Sequence, residues 1–277
     1  MKVGWSDKPV LAVSDDGKDV YIAFNGPAHG DSYIGQSHDG GRHWTSTKIT
    51  KDERYYFAGG GFVAPDGTVT FAENTFNQEY TGNVHNVVET SSDGGATWQI
   101  VKLDVTRRQP NCTSRGCYDG FYGSVPAIAG DAKGNLVDVY VGASEPRGPQ
   151  RTYVRRSKDG GLSWSAREAI SPLGANAVSP TAVGGEPGDI RVWYMDDRTG
   201  RFNVWYRSST DGGRTWGPAA RLSNALGGPD YVRPLGFGED YGDYGEIDIT
   251  STGRTVATWG EAGSLLGPGG VWFNRSR

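Results

Sequence analysis

The 277-residue sequence predicts an all-β fold built from one repeated, four-stranded antiparallel unit. Three observations predict it. The pattern Ser-x-Asp-x-Gly-x-x-Trp occurs at Ser37, Ser91, Ser157 and Ser209, roughly 50–70 residues apart, the spacing of a repeat architecture. A second repeat precedes each copy: PVLAVSDDG, GGFVAPDG, PAIAGDAKG and PTAVGGEPG, with GEIDITSTG as a fifth. No segment carries the 3.6-residue apolar period of a helix.

The first strand of each unit runs into a turn ending at Gly17, Gly67, Gly134, Gly188 or Gly253. The second strand follows at once as VYIAF, VTFAE, LVDVYV, IRVWYM or TVATW, with the period-two alternation of a half-buried strand. After a loop comes the third strand: SYIGQS, VHNVVETS, TYVRRS, FNVWYRSS or GVWFNRS. The octapeptide then makes the turn into the fourth. Its Asp supplies a side-chain acceptor and its Gly a positive φ, which a tight turn needs. Its Trp stands where the fourth strand begins and can wedge between neighbouring sheets. The fifth unit stops at Ser276, which aligns with the first Ser of the octapeptide. Gly4-Trp5-Ser6 matches Ser163-Trp164-Ser165, so the N-terminal strand is expected to complete the last unit and close a ring without an exposed edge.

The octapeptide is the Asp box, and nearly the whole chain resembles the sialidase-like (BNR-repeat) propellers. The resemblance implies a single domain, 1–277. Its fold would be a β-propeller of four-stranded antiparallel blades with Asp boxes, five blades by count, with the six-bladed sialidase fold as the alternative. It also implies that the boxes lie on outer hairpins, away from any active site, so Ser37, Asp39 and Trp44 and their equivalents read as structural.

Composition narrows the partners. Gly fills 43 positions, about twice the usual share, as many short strands joined by turns require. Aromatics make up 12%, which suits packing between blades and stacking on sugars. The net charge is −4 with no basic stripe, so nucleic acid is not an expected partner. No run of 18 apolar residues could span a membrane. Cys112 and Cys117 stand close enough for a small disulfide loop, the alternative being two free thiols. A disulfide would place the protein in an oxidising compartment. The start, MKVGWSDKP, shows no signal peptide, and a secreted or extracellular protein with a trimmed leader is the expectation, a cytosolic one the alternative. His29, His38, His43 and His85 are scattered without metal-ligand spacing. No cofactor is expected, although the acidic stretch GEDYGD could hold calcium. A monomer that takes carbohydrate is the expected state.

In a propeller the first strands line the axis. The loops entering them, and the loops between second and third strands, crowd one mouth. Asp7 and Asp243 align at the entrance of the first strand in the first and fifth units, and paired carboxylates can divide acid and base work. The resemblance adds a tyrosine nucleophile with a glutamate partner: Tyr244 or Tyr241, with Glu246 or Glu73. It also adds arginines for a substrate carboxylate, with Arg54, Arg147, Arg198 and Arg233 as candidates at the mouth. Tyr118, in CYDGFYGS, joins the substrate-binding set. The family's Arg-Ile-Pro motif is absent, and Arg198 has Asp196 and Asp197 beside it as alternative partners. The leading expectation is a glycan-active hydrolase of sialidase-like type acting on a terminal, acidic sugar. A non-catalytic glycan- or protein-binding propeller and a polysaccharide lyase are the alternatives.

Overall fold

The structure, a computed structural model, describes residues 6–27, 30–52, 54–78, 83–106, 126–145, 148–200, 202–223, 245–261 and 270–276. These form five antiparallel blades of a β-propeller, and no helix occurs among the described residues. Blade 1 consists of β1 (Asp7–Val13), β2 (Val20–Asn25), β3 (Ser32–Ser37) and β4 (Thr45–Lys48). Blade 2 consists of β5 (Tyr55–Val63), β6 (Val69–Phe76), β7 (Val84–Ser91) and β8 (Gln99–Thr106). Blade 3 has β9 (Ala127–Gly130), β10 (Leu136–Gly142), β11 (Arg151–Ser157) and β12 (Glu168–Ala169). Blade 4 has β13 (Ala177–Gly184), β14 (Ile190–Asp196), β15 (Asn203–Ser209) and β16 (Ala220–Arg221). Blade 5 has three described strands: β17 (Gly245–Ile249), β18 (Thr255–Glu261) and β19 (Gly270–Arg275).

Each middle strand presents alternate residues to the two neighbouring blades, and apolar seams result. Ala12, Tyr21, Ala23 and Ile34 of blade 1 meet Ala58, Val69 and Phe71 of blade 2. Ala72 and Val88, on the other face of blade 2, meet Ile128 and Leu136. Val137, Val139 and Val154 meet Ile190, Val192 and Tyr194. Trp193 and Met195 meet Ile247, Ala257 and Trp259. The inner strands approach so closely that a Cβ on Gly60 would lie 2.6 Å from the backbone N of Ile128.

The bonds of the octapeptide's Ser Oγ to Asp Oδ1 and to the second Gly N are alike in all four copies. In the second, Ser91 Oγ donates to Asp93 Oδ1 at 2.8 Å and accepts from Gly95 N at 2.9 Å. Asp93 also accepts from the backbone N and the hydroxyl of Thr97. Trp98, Trp164 and Trp216 each pack into the seam with the preceding blade. Trp44, in blade 1, has no such seam and is 46% exposed.

Among the described residues no seam joins blade 5 to blade 1. The inner strands pack in the order β1, β5, β9, β13, β17, and no comparable contact joins β17 to β1. Leu11 on the open face of blade 1 is 59% exposed, and Phe273 on that of blade 5 is 62% exposed. The closure expected from the N-terminal strand falls on residues 1–5, which lie outside the described residues.

Ser91→Ala should lower stability by about 1–2 kcal/mol, because it leaves the buried Gly95 N–H without an acceptor. Urea denaturation measures this, and an unchanged midpoint would remove the structural role of the turn.

Candidate functional site

Antiparallel pairing of first and second strands brings the starts of the former beside the ends of the latter. Asp7 pairs with Asn25, Tyr55 with Phe76, Ala177 with Asp196 and Gly245 with Trp259. These positions form one end of the propeller, the mouth. The octapeptide turns follow the third strands at the other end, so they do not line it.

Asp7 sits half-buried at the mouth. Its N–H donates to Asn25 Oδ1 at 2.6 Å. The register slips between Asp7 and Val10, and Lys8 takes a left-handed φ of 53°. Blade 4 repeats the device, with Ser179 at φ 46° and a slip between Val178 and Thr181. Such bulges re-aim side chains at strand ends. Lys8 is thereby a mouth residue that the alignment of aspartates passed over.

Arg54 lies on the rim of blade 2. Its Nε donates to Thr75 Oγ1 at 3.1 Å and its Nη2 to Thr75 O at 3.0 Å. Beside it, Tyr56 donates to Asp52 Oδ2 at 2.9 Å. His85 pairs across from Thr75, and burial with the charges of Arg54 and Lys102 pushes its ring below the usual histidine range. Tyr55 stacks on Phe76 at 5.9 Å. Glu246, second in β17, is solvent-accessible but crowded by neighbouring chain, and that crowding, together with Asp248, raises its carboxyl.

Arg198 has a carboxylate partner already. Its Nε donates to Asp196 Oδ1 at 2.8 Å, its Nη2 to Tyr194 Oη at 3.0 Å, and its guanidinium lies 3.9 Å above the Trp205 ring. A substrate carboxylate would have to compete with Asp196, the local pairing that the sequence offered as the alternative.

Glu73 lies away from the mouth surface. It is 1% exposed, inside the seam between blades 1 and 2. Ser32 Oγ is 3.2 Å from Glu73 Oε1 and 2.9 Å from Glu89 Oε2. A hydroxyl has one proton to donate, so one of the two carboxyls must donate to Ser32 Oγ in turn. Burial raises Glu73 well above the usual range, with Glu89 adding to it, and burial pushes Glu89 up to about 8. Glu89 was missed, although it is the one acid in the buried strand VHNVVETS. Asp243, Tyr244, Tyr241, Arg147, Arg233, Tyr118, Cys112 and Cys117 lie outside the described residues, as does the stretch considered for calcium. Among the described residues no group of His, Cys, Asp and Glu has metal-binding geometry, and no helix is long and apolar enough to cross a membrane.

The sequence pattern of the BNR repeat-like domain matches residues 33–241. The chain belongs to that family. No curated protein matches the sequence of this BNR-repeat chain. Among solved structures, it is similar to a Hadza microbial sialidase at 17% identity and TM-score 0.60, covering 99% of this chain and 53% of the sialidase. This chain thus spans about half the length of that relative. An α-L-arabinanase of Penicillium chrysogenum bound to arabinobiose has 15% identity and TM-score 0.56, with coverage of 97% and 93%. An ulvan lyase of a polysaccharide lyase family has 14% identity and TM-score 0.53, with coverage of 97% and 64%. These likenesses establish the propeller fold of the BNR-repeat chain.

The Glu73–Glu89 pair predicts a pH dependence. Both folded-state values lie above the ordinary 4.5. Their contribution to stability is therefore full below pH 4.5 and is lost as pH rises toward about 8, since the unfolded chain releases these protons first. The melting temperature should fall across that window, and Glu89→Gln should flatten the fall. Identical profiles for parent and variant would contradict the buried pair.

Proposed function

We propose that this chain is a glycan-active hydrolase of sialidase-like type that works at the propeller mouth on a terminal sugar, an acidic one by preference. The observation that carries the reading is Asp7. Its carboxylate stands at the entrance of an inner strand, where Asn25 Oδ1 accepts from the Asp7 backbone N–H, next to a residue in a left-handed conformation. Backbone strain of this kind collects at functional sites. Asp243 aligns with Asp7 in the fifth unit, which supports an acid–base pair, and Tyr244 is the nucleophile that the family resemblance offers. Arg54 has guanidinium donors left over for an anionic group after its two bonds to Thr75. A sialidase, an arabinanase and an ulvan lyase among the similar structures support a glycan as the ligand class. An extracellular setting suits such a ligand.

A non-catalytic glycan-binding propeller is the second reading. Arg198, engaged by Asp196, favours it, because the carboxylate clamp of a sialidase needs free guanidinium groups.

A panel of aryl glycosides, the sialoside included, separates the two. Asp7→Asn, Asp243→Asn and Tyr244→Phe should each lose at least about 100-fold in turnover with the fold intact. Unchanged turnover in all three would move the site elsewhere. Glycan binding without turnover by the parent on any substrate would establish the second reading.

A further inference from the structure

The end opposite the mouth carries a crevice of ≈ 230 Å³ between blades 3 and 4. It is walled by the inner hairpin turns of both blades and by their octapeptide turns. Four cationic side chains line it: Lys133, Arg156, Lys158 and Arg214. Its two carboxylates accept bonds from the turns that wall it. Asp131 accepts from Asn135 Nδ2 and from the backbone N of Lys133, Asn135 and Gly188. Asp211 accepts from Ser209 and from Thr215 N and Oγ1. Arg156 pairs with Glu168 Oε2 at 3.0 Å and Arg214 Nε donates to Asp211 O at 3.2 Å, whereas neither Lys133 nor Lys158 makes an ion pair or hydrogen bond through its ammonium group with a described residue.

A second observation marks this crevice. In the other three octapeptides the Trp indole donates to the carbonyl of the second Gly: Trp44 to Gly41, Trp98 to Gly95 and Trp164 to Gly161. In the fourth, the Gly213 carbonyl accepts from Arg156 Nη1 at 2.8 Å instead, and Trp216 Nε1 is buried without an acceptor. An unsatisfied buried donor is costly, so here the fold gives up its own turn bond to seat a guanidinium in the crevice wall. Lys158 and Arg214 occupy octapeptide positions that the turn leaves variable, filled by His38, Ser92 and Thr210, and by Arg42, Ala96 and Leu162, in the other copies.

We propose that this crevice is a second saccharide site, on the face opposite the mouth, which holds a sulfated or carboxylated sugar of an anionic polysaccharide. Lys133 and Lys158 can turn to a ligand anion without giving up an internal partner, and the Arg156 and Arg214 guanidinium groups add to the positive wall. The site stands independently of the activity at the mouth, because its test reads binding and not turnover.

Calorimetry with three tetrasaccharides provides the test: chondroitin 4-sulfate, galacturonate and neutral cellotetraose, each at 50 and 300 mM NaCl. The expected result is binding of one or both charged chains, no binding of cellotetraose at this site, and at least tenfold weakening at the higher salt. The galacturonate arm tells a carboxylate site from one that requires sulfate. Lys133→Ala combined with Lys158→Ala should remove one binding site per chain without a change in melting temperature, while Lys102→Ala, on the outer strand of blade 2, should leave it. Binding of the double variant equal to the parent's, equal binding of cellotetraose, or no binding by the parent at 50 mM NaCl would each overturn the proposal.

Discussion

The packing of one blade face against the next is the constraint on which the rest depends. A four-stranded sheet with two apolar faces has no stable existence alone, and here β6, β10 and β14 bury nearly every residue by lying between two neighbours. Fully burying a side chain such as Phe71 or Ile190 contributes about 1.5–3 kcal/mol. The wedge shape of each seam turns successive sheets about an axis. That rotation brings the entrances of the inner strands to one mouth and the octapeptide turns to the opposite end. Asp7 is a mouth residue, and Lys158 a residue of the far face, for this reason alone.

The seams also hold polar groups, and burial decides their chemistry. Glu73 and Glu89 meet Ser32 where water cannot reach, and the geometry retains a proton that free glutamates would release. Ser32 N donates to Thr50 Oγ1, which in turn donates to Asp31, and the charge of Asp52 adds to the rise at Glu89. Asp138 is a parallel case between blades 2 and 3. Burial pushes its carboxyl up to about 8, and the nearby Arg155 only partly offsets that. Asp104 stays ionised, because Tyr140 and Arg167 hydrogen-bond to it despite its burial. Burial raises each of these acids, and only where hydrogen-bonding and charged neighbours outweigh it, as at Asp104, does the carboxyl stay ionised.

The octapeptide shows how a repeat divides its work. Its Ser, Asp and Gly close the turn by local bonds, identical in four surroundings. Its Trp acts at longer range and depends on having a neighbouring blade. Trp98 packs against Tyr21 and Phe71, whereas Trp44 meets no preceding blade among the described residues and is exposed. The remaining positions are open to variation, and only the fourth copy has exchanged an internal bond for a cation from blade 3.

The sequence by itself determined the strands, their antiparallel order and the turns between them. These follow from period-two alternation, from glycines such as Gly94 and Gly95 in left-handed conformations, and from Ser–Asp bonds that span a few residues. It also offered the local pairing of Arg198 with Asp196, two positions away. Only the tertiary structure decided that Glu73 lies in a seam with Glu89 and Ser32, and that Lys8 is turned by a bulge at the mouth. The physical reason is that alternation tells which residues share a face of a strand, but not which blade that face will meet. Partners such as Ser32 and Glu89, 57 positions apart, become neighbours only when whole sheets pack.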